Sequence, residues 1–163
     1  MSLATAVAAL AVCCAPVFAA LPVVAAKDQA ALLKSKDPKL AANKKVAYDF
    51  YRIVLQGRRL DQAEKYMRDD YIQHNPNADT GIKGFKDYFE KLGGPQPIPD
   101  TLKGLVAIQA EGDYVTLSLV RDYTDASGQK YTSTWFDMFR IQDGKIAEHW
   151  DPATKPAASG GKK

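Results

Sequence analysis

The sequence has few of the residues from which metal and thiol sites are built. Its 163 residues include two histidines and two cysteines, and none of them stands in an HxH, HxxxH or CxxC spacing. Such spacings let ligands converge on a zinc ion. We therefore expect no metal site. The adjacent Cys13 and Cys14 fall in a segment that we expect to be removed, so thiol chemistry is not expected in the mature chain.

Motifs for nucleotide binding and serine hydrolysis are also missing. No glycine-rich phosphate loop follows a predicted strand, and the sequence contains no GxSxG. The 22 basic and 19 acidic residues are interspersed, and the formal net charge is only +3. Without a concentrated positive field, nucleic acid is not an expected partner.

What the sequence does have at its start is a long uncharged run. Residues 2–26 carry no charge and are rich in Ala, Val and Leu, and Lys27 then opens a polar region. This pattern is typical of an export signal, with small-x-small cleavage motifs ending at Ala19 and near Ala26. We expect residues 1–26 to be a signal segment. The protein would then be periplasmic or secreted after cleavage, without stable membrane insertion.

Two other interpretations of this segment stay open. The run is long enough for a membrane anchor, and no basic residue precedes its apolar stretch. Pro16 and Pro22, however, disfavour a continuous helix through it. A lipid attached at Cys13 would normally require a small preceding residue, and Val12 is branched.

The rest of the chain predicts a single domain with helices first and strands afterwards. Residues 27–42 are rich in Lys, Ala and Asp and predict a mobile linker. Over residues 43–152, apolar side chains first recur at helical spacing. This spacing predicts three helices, which start at Asn43, Leu60 and Thr80.

After a proline-rich loop the apolar period changes to two, which is typical of strands. The candidate strands are Leu102 to Glu111, Tyr114 to Tyr123, Tyr131 to Gln142, and Lys145 to Asp151. Helices followed by an antiparallel meander predict an α+β fold, in which three helices pack on one face of a curved sheet and enclose a pocket. Residues 153–163 have little to bury and are expected to be disordered.

The last two strands are expected to bring titratable side chains together. A three-residue hairpin loop at residues 142–144 would place Asp137 opposite His149 and Trp135 opposite Asp151. All four side chains would then share one face of the sheet. Carboxylates converging in a partly desolvated pocket acquire raised pKa values, which is how a general base is tuned.

Two alternatives to this arrangement stay open. A two-residue loop would pair Asp137 with Trp150, although residues of equal parity on each strand would still share a face. The simpler interpretation is that Asp137 and His149 form a hydrogen-bonded cross-strand pair, while Asp151 ends the strand at the surface.

Three segments give a more specific indication: YIQHNP at residues 71–76, GIKGFKDYF at residues 81–89, and FDMFRIQDGKIAEHWD at residues 136–151. Together they resemble the SnoaL-like polyketide cyclases, and more closely the branch called SnoaL-like aldol-condensation-catalysing proteins, in the nuclear transport factor 2-like fold. The resemblance covers about residues 43–151. It implies a cone of bent antiparallel sheet and three helices around a mostly apolar cavity, no cofactor or metal, and often a homodimer packed through the sheet.

The resemblance also implies roles for single residues. Asp151 matches the aspartate that serves as acid and base for aldol closure in characterised cyclases, and Asp137 and His74 match polar residues near the cavity. We therefore expect these three to be catalytic. The residues expected to contact the ligand are Trp135, His149, Tyr71, Phe139 and Ser118, the last of which stands where this branch often carries a histidine.

Two classes of function follow from the sequence. In the first, Asp151 removes a proton beside the carbonyl of a small substrate, and His74 or Asp137 donates a hydrogen bond to the enolate, which gives aldol-type cyclisation or isomerisation. In the second, the same cavity binds a small hydrophobic molecule without chemistry, or the domain is an accessory or oligomerisation module.

Overall fold

A computed structural model describes residues 21–156 of the chain. Both cysteines and most of the predicted signal segment lie outside the described residues, as does the end of the tail. Within residues 21–156, none of the helices combines the length and the apolar character that crossing a membrane would require.

The helical layer is built mainly from the first half of the described chain. A cap at Asp37, whose side chain accepts from the Lys39 N–H, and a proline in the first turn start the longest helix. This helix continues without a break into a π-helical segment. The helical elements are α1 (Gln29–Leu32), α2 (Pro38–Asp49), the π-helical segment (Phe50–Gln56), a 3₁₀ turn (Leu60–Gln62), α3 (Ala63–Tyr66) and α4 (Gly81–Glu90).

The predicted helix start at Asn43 was wrong, and residues 27–42 contain helical structure. The start lies earlier because Asp37 caps the helix, whereas Asn43 is buried and donates from Nδ2 to the Gly112 carbonyl at 3.3 Å. Gln29 in α1 is buried as well. Its Nε2 donates to the Leu102 carbonyl at 2.8 Å, and its Oε1 accepts from the Leu102 N–H at 3.0 Å. These bonds attach the predicted linker to the domain.

The sheet confirms the predicted α+β class and adds a strand. Its order is β1-β5-β4-β3-β2, with β2 to β5 antiparallel and β1 parallel to β5. The second predicted helix, which starts at Leu60, is present as the 3₁₀ turn and α3, and β1 follows it directly. The strands are β1 (Met67–Gln73), β2 (Leu105–Glu111), β3 (Tyr114–Thr124), β4 (Lys130–Gln142) and β5 (Lys145–Trp150).

The core lies between the helices and one face of this sheet, which we call the inner face. The ring of Phe50 contacts Phe139 edge-on, with centroids 5.7 Å apart, and also lies 5.7 Å from the ring of Phe85. Odd-numbered residues of β3 and β4 point inward, and even-numbered ones lie on the opposite, outer face. The outer face exposes large side chains such as Tyr114 and Phe136.

The hairpin between β4 and β5 has the shorter of the two loops considered. Gln142 pairs with Lys145, and Asp143 and Gly144 both have positive φ, at 53° and 71°. These two values are typical of a type I′ turn, which favours Asp-Gly. A two-residue loop is therefore the correct alternative.

A bulge then changes the pairing beyond this loop. The register shifts between Ile141, which pairs with Ile146, and Arg140, which pairs with Glu148. Phe139 is consequently opposite His149. Both predicted partners of Asp137 were wrong for this reason, since an irregularity inside a strand leaves no mark in the loop sequence. The predicted sharing of a face is retained, because the bulge restores the parity.

Candidate active site

A cavity of about 820 Å³ lies between the inner face and the helical layer. This volume is within the usual range for small-molecule sites. We call the part lined by buried residues of the sheet and helices its inner end, and the part lined by exposed residues on β3 and after α4 its mouth. Exposed residues of the loop after β1 and of the segment after β5 line it as well. Both kinds of wall are rich in aromatic side chains: Phe50, Tyr51, Tyr71, Phe85, Tyr88, Phe89, Tyr123, Trp135 and Phe139.

The inner end contains a hydrogen-bonded pair formed by Asp137 and His149, which are 5% and 8% exposed. His149 Nε2 lies 2.8 Å from Asp137 Oδ1, and His149 Nδ1 lies 2.9 Å from Gln73 Oε1. The imidazole also stacks on the ring of Phe139, at 4.9 Å between centroids. Strand pairing explains the contact with Gln73, which is the β1 partner of His149.

The surrounding hydrogen bonds define where the protons of this pair lie. Gln73 Oε1 also accepts from the Asn75 backbone N–H at 3.0 Å, so it faces His149 as an acceptor and Nδ1 must carry the proton. A carboxylate facing an unprotonated Nε2 would be repelled. One further proton is therefore shared between Nε2 and Asp137, and the pair holds either an imidazolium with a carboxylate or two neutral groups.

Asp151 lies beside this pair with both of its oxygens hydrogen-bonded. Oδ2 accepts from Asn75 Nδ2 at 2.7 Å, and Oδ1 accepts from the Ala153 N–H at 2.9 Å. Because both partners are donors, Asp151 is satisfied as an ionised carboxylate. Its Oδ2 is 3.9 Å from His149 Nε2. A base and a proton-sharing pair therefore stand side by side.

Two tyrosines complete the polar lining of the inner end. Burial raises the pKa of the Tyr51 hydroxyl well above its usual value, and the nearby Asp137 charge raises it further. Burial is also the main reason that the pKa of Tyr71 is raised, with Asp151 adding to it. Both hydroxyls therefore stay protonated and available as hydrogen-bond donors.

Asp137, His149 and Asp151 also have the composition of a cation site. One ligand-type atom of each lies within 4.8 Å of the others, among the residues that the structure describes. His149 Nε2 is hydrogen-bonded to Asp137 Oδ1, and Asp151 accepts from Asn75 and from the Ala153 N–H. Asp137 Oδ2 is buried and has no hydrogen-bond partner within residues 21–156.

The structure brings most of the predicted site residues together. Tyr71, Trp135, Asp137, Phe139, His149 and Asp151 all line the cavity. Two predicted members do not. Ser118 pairs with Phe136 and lies on the outer face, because β3 turns only its odd-numbered side chains toward the cavity.

His74 is the other exception, because it lies against the outer face. Its Nε2 donates to Glu148 at 2.8 Å, and its ring stacks on Trp150 at 4.7 Å between centroids. Residues 73 and 74 point to opposite sides of the chain, so the inward position belongs to Gln73. The structure therefore places His74 outside the cavity in which its catalytic role was predicted.

Several polar cavity residues were not predicted from the sequence, and four of them matter for the chemistry of the site. Gln73 and Asn75 belong to the YIQHNP segment, and alternation along a strand would have selected them over His74. Tyr51 comes from the π-helical segment, a helix form often found at functional sites. Arg121 stands on β3 at a position with the inward parity, and the sequence signal for it was the same alternation.

His74, Glu148 and Arg140 form a cluster on the outer face. This cluster predicts that the stability of the fold decreases at acid pH. Hydrogen bonds from His74 and then from Arg140 hold the pKa of Glu148 below its usual 4.5. A lowered folded-state pKa stabilises the fold above the unfolded-state value, and this contribution is lost as the pH falls through the folded-state value. We expect Glu148→Gln to lower the free energy of unfolding near neutral pH by about 1 kcal/mol.

The measurement is urea unfolding of wild type and Glu148→Gln at several pH values. The difference between the two should shrink as the pH falls below 4.5 and through the folded-state pKa. A difference that stays constant across this window would show that the ionised form of Glu148 does not stabilise the fold. Glu111→Gln, at an exposed glutamate at the end of β2, is the matched control.

Comparison with known families agrees with this geometry. The model of the SnoaL-like domain matches residues 47–149, which is more than half of the chain. The chain belongs to the SnoaL-like domain family. The match covers the π-helical segment, all five strands except the last residue of β5, and every cavity residue named above except Asp151. Among curated proteins, the search finds no match.

Solved structures show the fold that this SnoaL-like domain shares. TsrD from Streptomyces laurentii is 20% identical, with a TM-score of 0.51 over 72% of this chain and 90% of that one. A candidate polyketide cyclase from Acidithiobacillus ferrooxidans is 18% identical, with a TM-score of 0.52 over 72% and 89%. An epoxide hydrolase of M. tuberculosis described as LEH-like is 15% identical, with a TM-score of 0.51 over 70% and 84%. At these identities the likeness concerns the fold.

Proposed function

We propose that this SnoaL-like protein catalyses proton transfer beside the carbonyl group of a small, largely apolar compound, leading to aldol-type cyclisation or isomerisation. One observation carries the proposal. The carboxylate of Asp151 lies 3.9 Å from His149 Nε2, which shares a proton with buried Asp137, at the inner end of a ligand-sized cavity. A base next to an acid is what such a reaction requires.

The first step uses Asp151 as the base. Its carboxylate takes a proton from the carbon next to the substrate carbonyl, and the electron pair of the broken C–H bond moves onto the carbonyl oxygen. The hydrogen bond from Asn75 holds the carboxylate in place. A low-dielectric wall of aromatic rings strengthens the electrostatic interactions around it.

The second step needs donors for the enolate oxygen. The protonated Tyr51 hydroxyl and the proton shared by Asp137 and His149 are such donors, since they lie in the same cavity wall and are oriented before the substrate arrives. In this proposal these donors replace His74, which was expected from the sequence to donate a hydrogen bond to the enolate.

The last step returns the proton, so that the protein ends unchanged. In an isomerisation, the substrate carries a carbon–carbon double bond next to the deprotonated carbon, and protonated Asp151 gives its proton to the far carbon of the resulting dienolate, so that the double bond moves. In an aldol closure, the enolate carbon attacks a second carbonyl of the substrate, and the new alkoxide takes up the proton. In both cases no atom is gained or lost and no oxidant is needed.

The test is hydrogen–deuterium exchange beside a ketone. Acetophenone and para-acetylbenzoate are incubated with the protein in D₂O, and the methyl proton signal is followed by NMR. We expect protein-dependent loss of this signal. Saturable binding of both ketones without any exchange would contradict catalysis and leave ligand binding as the function of the cavity.

Export is part of the proposal and is supported by the uncharged run of residues 2–26. The structure favours one of the two cleavage motifs. The Val23 N–H donates to Thr132 Oγ1 at 2.7 Å, and the Ala26 N–H donates to the Leu105 carbonyl at 2.7 Å. Cleavage after Ala19 keeps both bonds, whereas cleavage after Ala26 removes them. We expect protein collected from the periplasm or the culture medium to have the intact mass of a chain that begins at Ala20. The mass of a chain that begins at Lys27 would contradict this choice.

A further inference from the structure

The mouth of the cavity contains a charge of the opposite sign to that at its inner end. Arg121 lines the cavity from β3, and its Cζ lies 3.8 Å from the centroid of the Trp135 ring. In this cation–π contact the aromatic face fixes the plane of the guanidinium. The N–H groups at the edge of a stacked guanidinium stay free to bind an acceptor in its plane.

Most other arginines are held by acidic partners. Arg52, Arg59, Arg68 and Arg140 each lie within ion-pair distance of a carboxylate. Among residues 21–156, Arg58 has no carboxylate at this distance, but it does not line the cavity. Within residues 21–156, no carboxylate lies within that distance of Arg121. Its position is fixed by Trp135 and not by an acidic partner, so its hydrogen-bond donors are available to a molecule in the cavity.

The two ends of the cavity therefore select different chemical groups. The carboxyl groups of Asp151 and Asp137 lie at the inner end, so an anionic group placed there meets acidic side chains and is disfavoured. The same anionic group at the mouth meets Arg121. A ligand with one anionic end is consequently oriented with that end outward.

The walls between the two ends define the middle of the ligand. Tyr88 and Phe89 on α4, Leu55 on the π-helical segment and Trp135 on β4 all line the cavity. A lining rich in aromatic rings suits a planar or aromatic body, which can stack against them. The volume of about 820 Å³ accommodates such a molecule.

We propose that Arg121 and Trp135 form a carboxylate-binding subsite, and that the ligand is a planar or aromatic keto acid. Its carboxylate binds at the mouth, and its carbonyl reaches Asp151 and Tyr51 at the inner end. The position of the carbonyl rests on the proposed function, whereas the carboxylate subsite does not depend on catalysis.

Calorimetric titration with two matched ketones tests the subsite. Para-acetylbenzoate and para-acetylbenzamide have nearly the same shape and the same acetyl group, but only the first is an anion. We expect wild type to bind the benzoate about 10-fold more tightly than the benzamide, because a charge-assisted hydrogen bond to Arg is strong. Added salt should weaken binding of the benzoate only.

Variants assign the preference to Arg121. Arg121→Gln should bind the two compounds equally, and Arg121→Lys, which keeps the charge but not the planar fork, should retain part of the preference. Arg59→Gln, at a half-buried arginine that is paired with Asp61 and does not line the cavity, is the matched control and should behave like wild type. Melting curves of each variant show whether it is folded, and the lysine variant decides the question if Arg121→Gln is not.

The outcomes separate this subsite from the catalytic proposal. Asp151→Asn should lose proton exchange and keep the preference for the benzoate. Tighter or equal binding of the benzamide by wild type, an unchanged preference in Arg121→Gln, or no binding of either compound would each overturn the subsite. Preference for the benzoate without any proton exchange in wild type would leave the subsite standing and contradict the proposed catalysis.

Discussion

Replacing Asp151 by asparagine is expected to lower the rate of α-proton exchange by about 10²- to 10⁴-fold, the usual contribution of a positioned general base. Asparagine is nearly isosteric, but its side chain has no basic oxygen. It also has one oxygen where Asp151 has two, so the hydrogen bonds from Asn75 Nδ2 and the Ala153 N–H cannot both be kept. Loss of the proton acceptor is the larger effect, and NMR in D₂O with acetophenone measures it.

Two other variants complete this measurement. Asp122→Asn removes a carboxylate from an exposed position on β3 and should exchange protons at the wild-type rate. His74→Ala should do the same, because His74 lies against the outer face and contacts Glu148 and Trp150. Wild-type exchange in Asp151→Asn, or loss of exchange in His74→Ala, would remove the assignment of Asp151 as the base.

Truncation of Phe139 to alanine is expected to lower the free energy of unfolding by about 3–5 kcal/mol, as in other buried phenylalanine positions. The side chain is 2% exposed, and its ring contacts both Phe50 and His149. The loss of stability has two causes. The buried surface of the ring is lost, and a space is left between the sheet and the helices. This space cannot close fully, because the neighbouring strands on both sides hold the backbone of β4 in place.

Urea unfolding measures this loss, and Phe139→Leu is the matched variant. Leucine keeps much of the volume, so its cost should stay below about 1.5 kcal/mol. The alanine variant should also loosen the imidazole of His149, which rests on the phenyl ring. Equal stability of Phe139→Ala and wild type would mean that the core is centred elsewhere.

Much of the fold could be predicted from the sequence, because the periodicity of its apolar residues matches the elements that form. The alternation of apolar residues set the four antiparallel strands to within a few residues, and the apolar positions of residues 81–90 gave α4. The same alternation predicted that Asp137, His149 and Asp151 share a face. This holds because the bulge in β5 offsets the two-residue loop, since a one-residue slip in register would otherwise turn the side chains of one strand to the other face.

The strand β1 could not be read from the sequence in the same way. Residues 67–73 include Arg68, Asp69 and Asp70 and alternate poorly, and only pairing with β5 makes them a strand. Tertiary pairing of this kind outweighs local propensity. The role of His74 was expected from the resemblance of YIQHNP to the family, whereas the strand places Gln73 on the inner face and His74 on the outer one.

Roles that depend on contacts between single atoms could not be predicted from the sequence either. The proton shared by Asp137 and His149 depends on Gln73, which faces His149 through β1–β5 pairing. The proposed role of Arg121 depends on its contact with Trp135 and on the lack of a carboxylate within ion-pair distance among residues 21–156. Both features depend on distances of a few ångströms between residues far apart in the chain.

The bulge in β5 has a consequence for how this family diverges. Between Ile146 and Glu148 the strand carries one residue more than its partner, and this residue, Ala147, is buried. Loss of that single codon would rotate the end of β5 by half a period, turning His149 and Asp151 outward and Trp150 inward. The chain could still form a hairpin, but its acid–base groups would leave the cavity together. A relative that lacks this one residue could therefore keep the architecture and lose the acid–base chemistry through a single deletion.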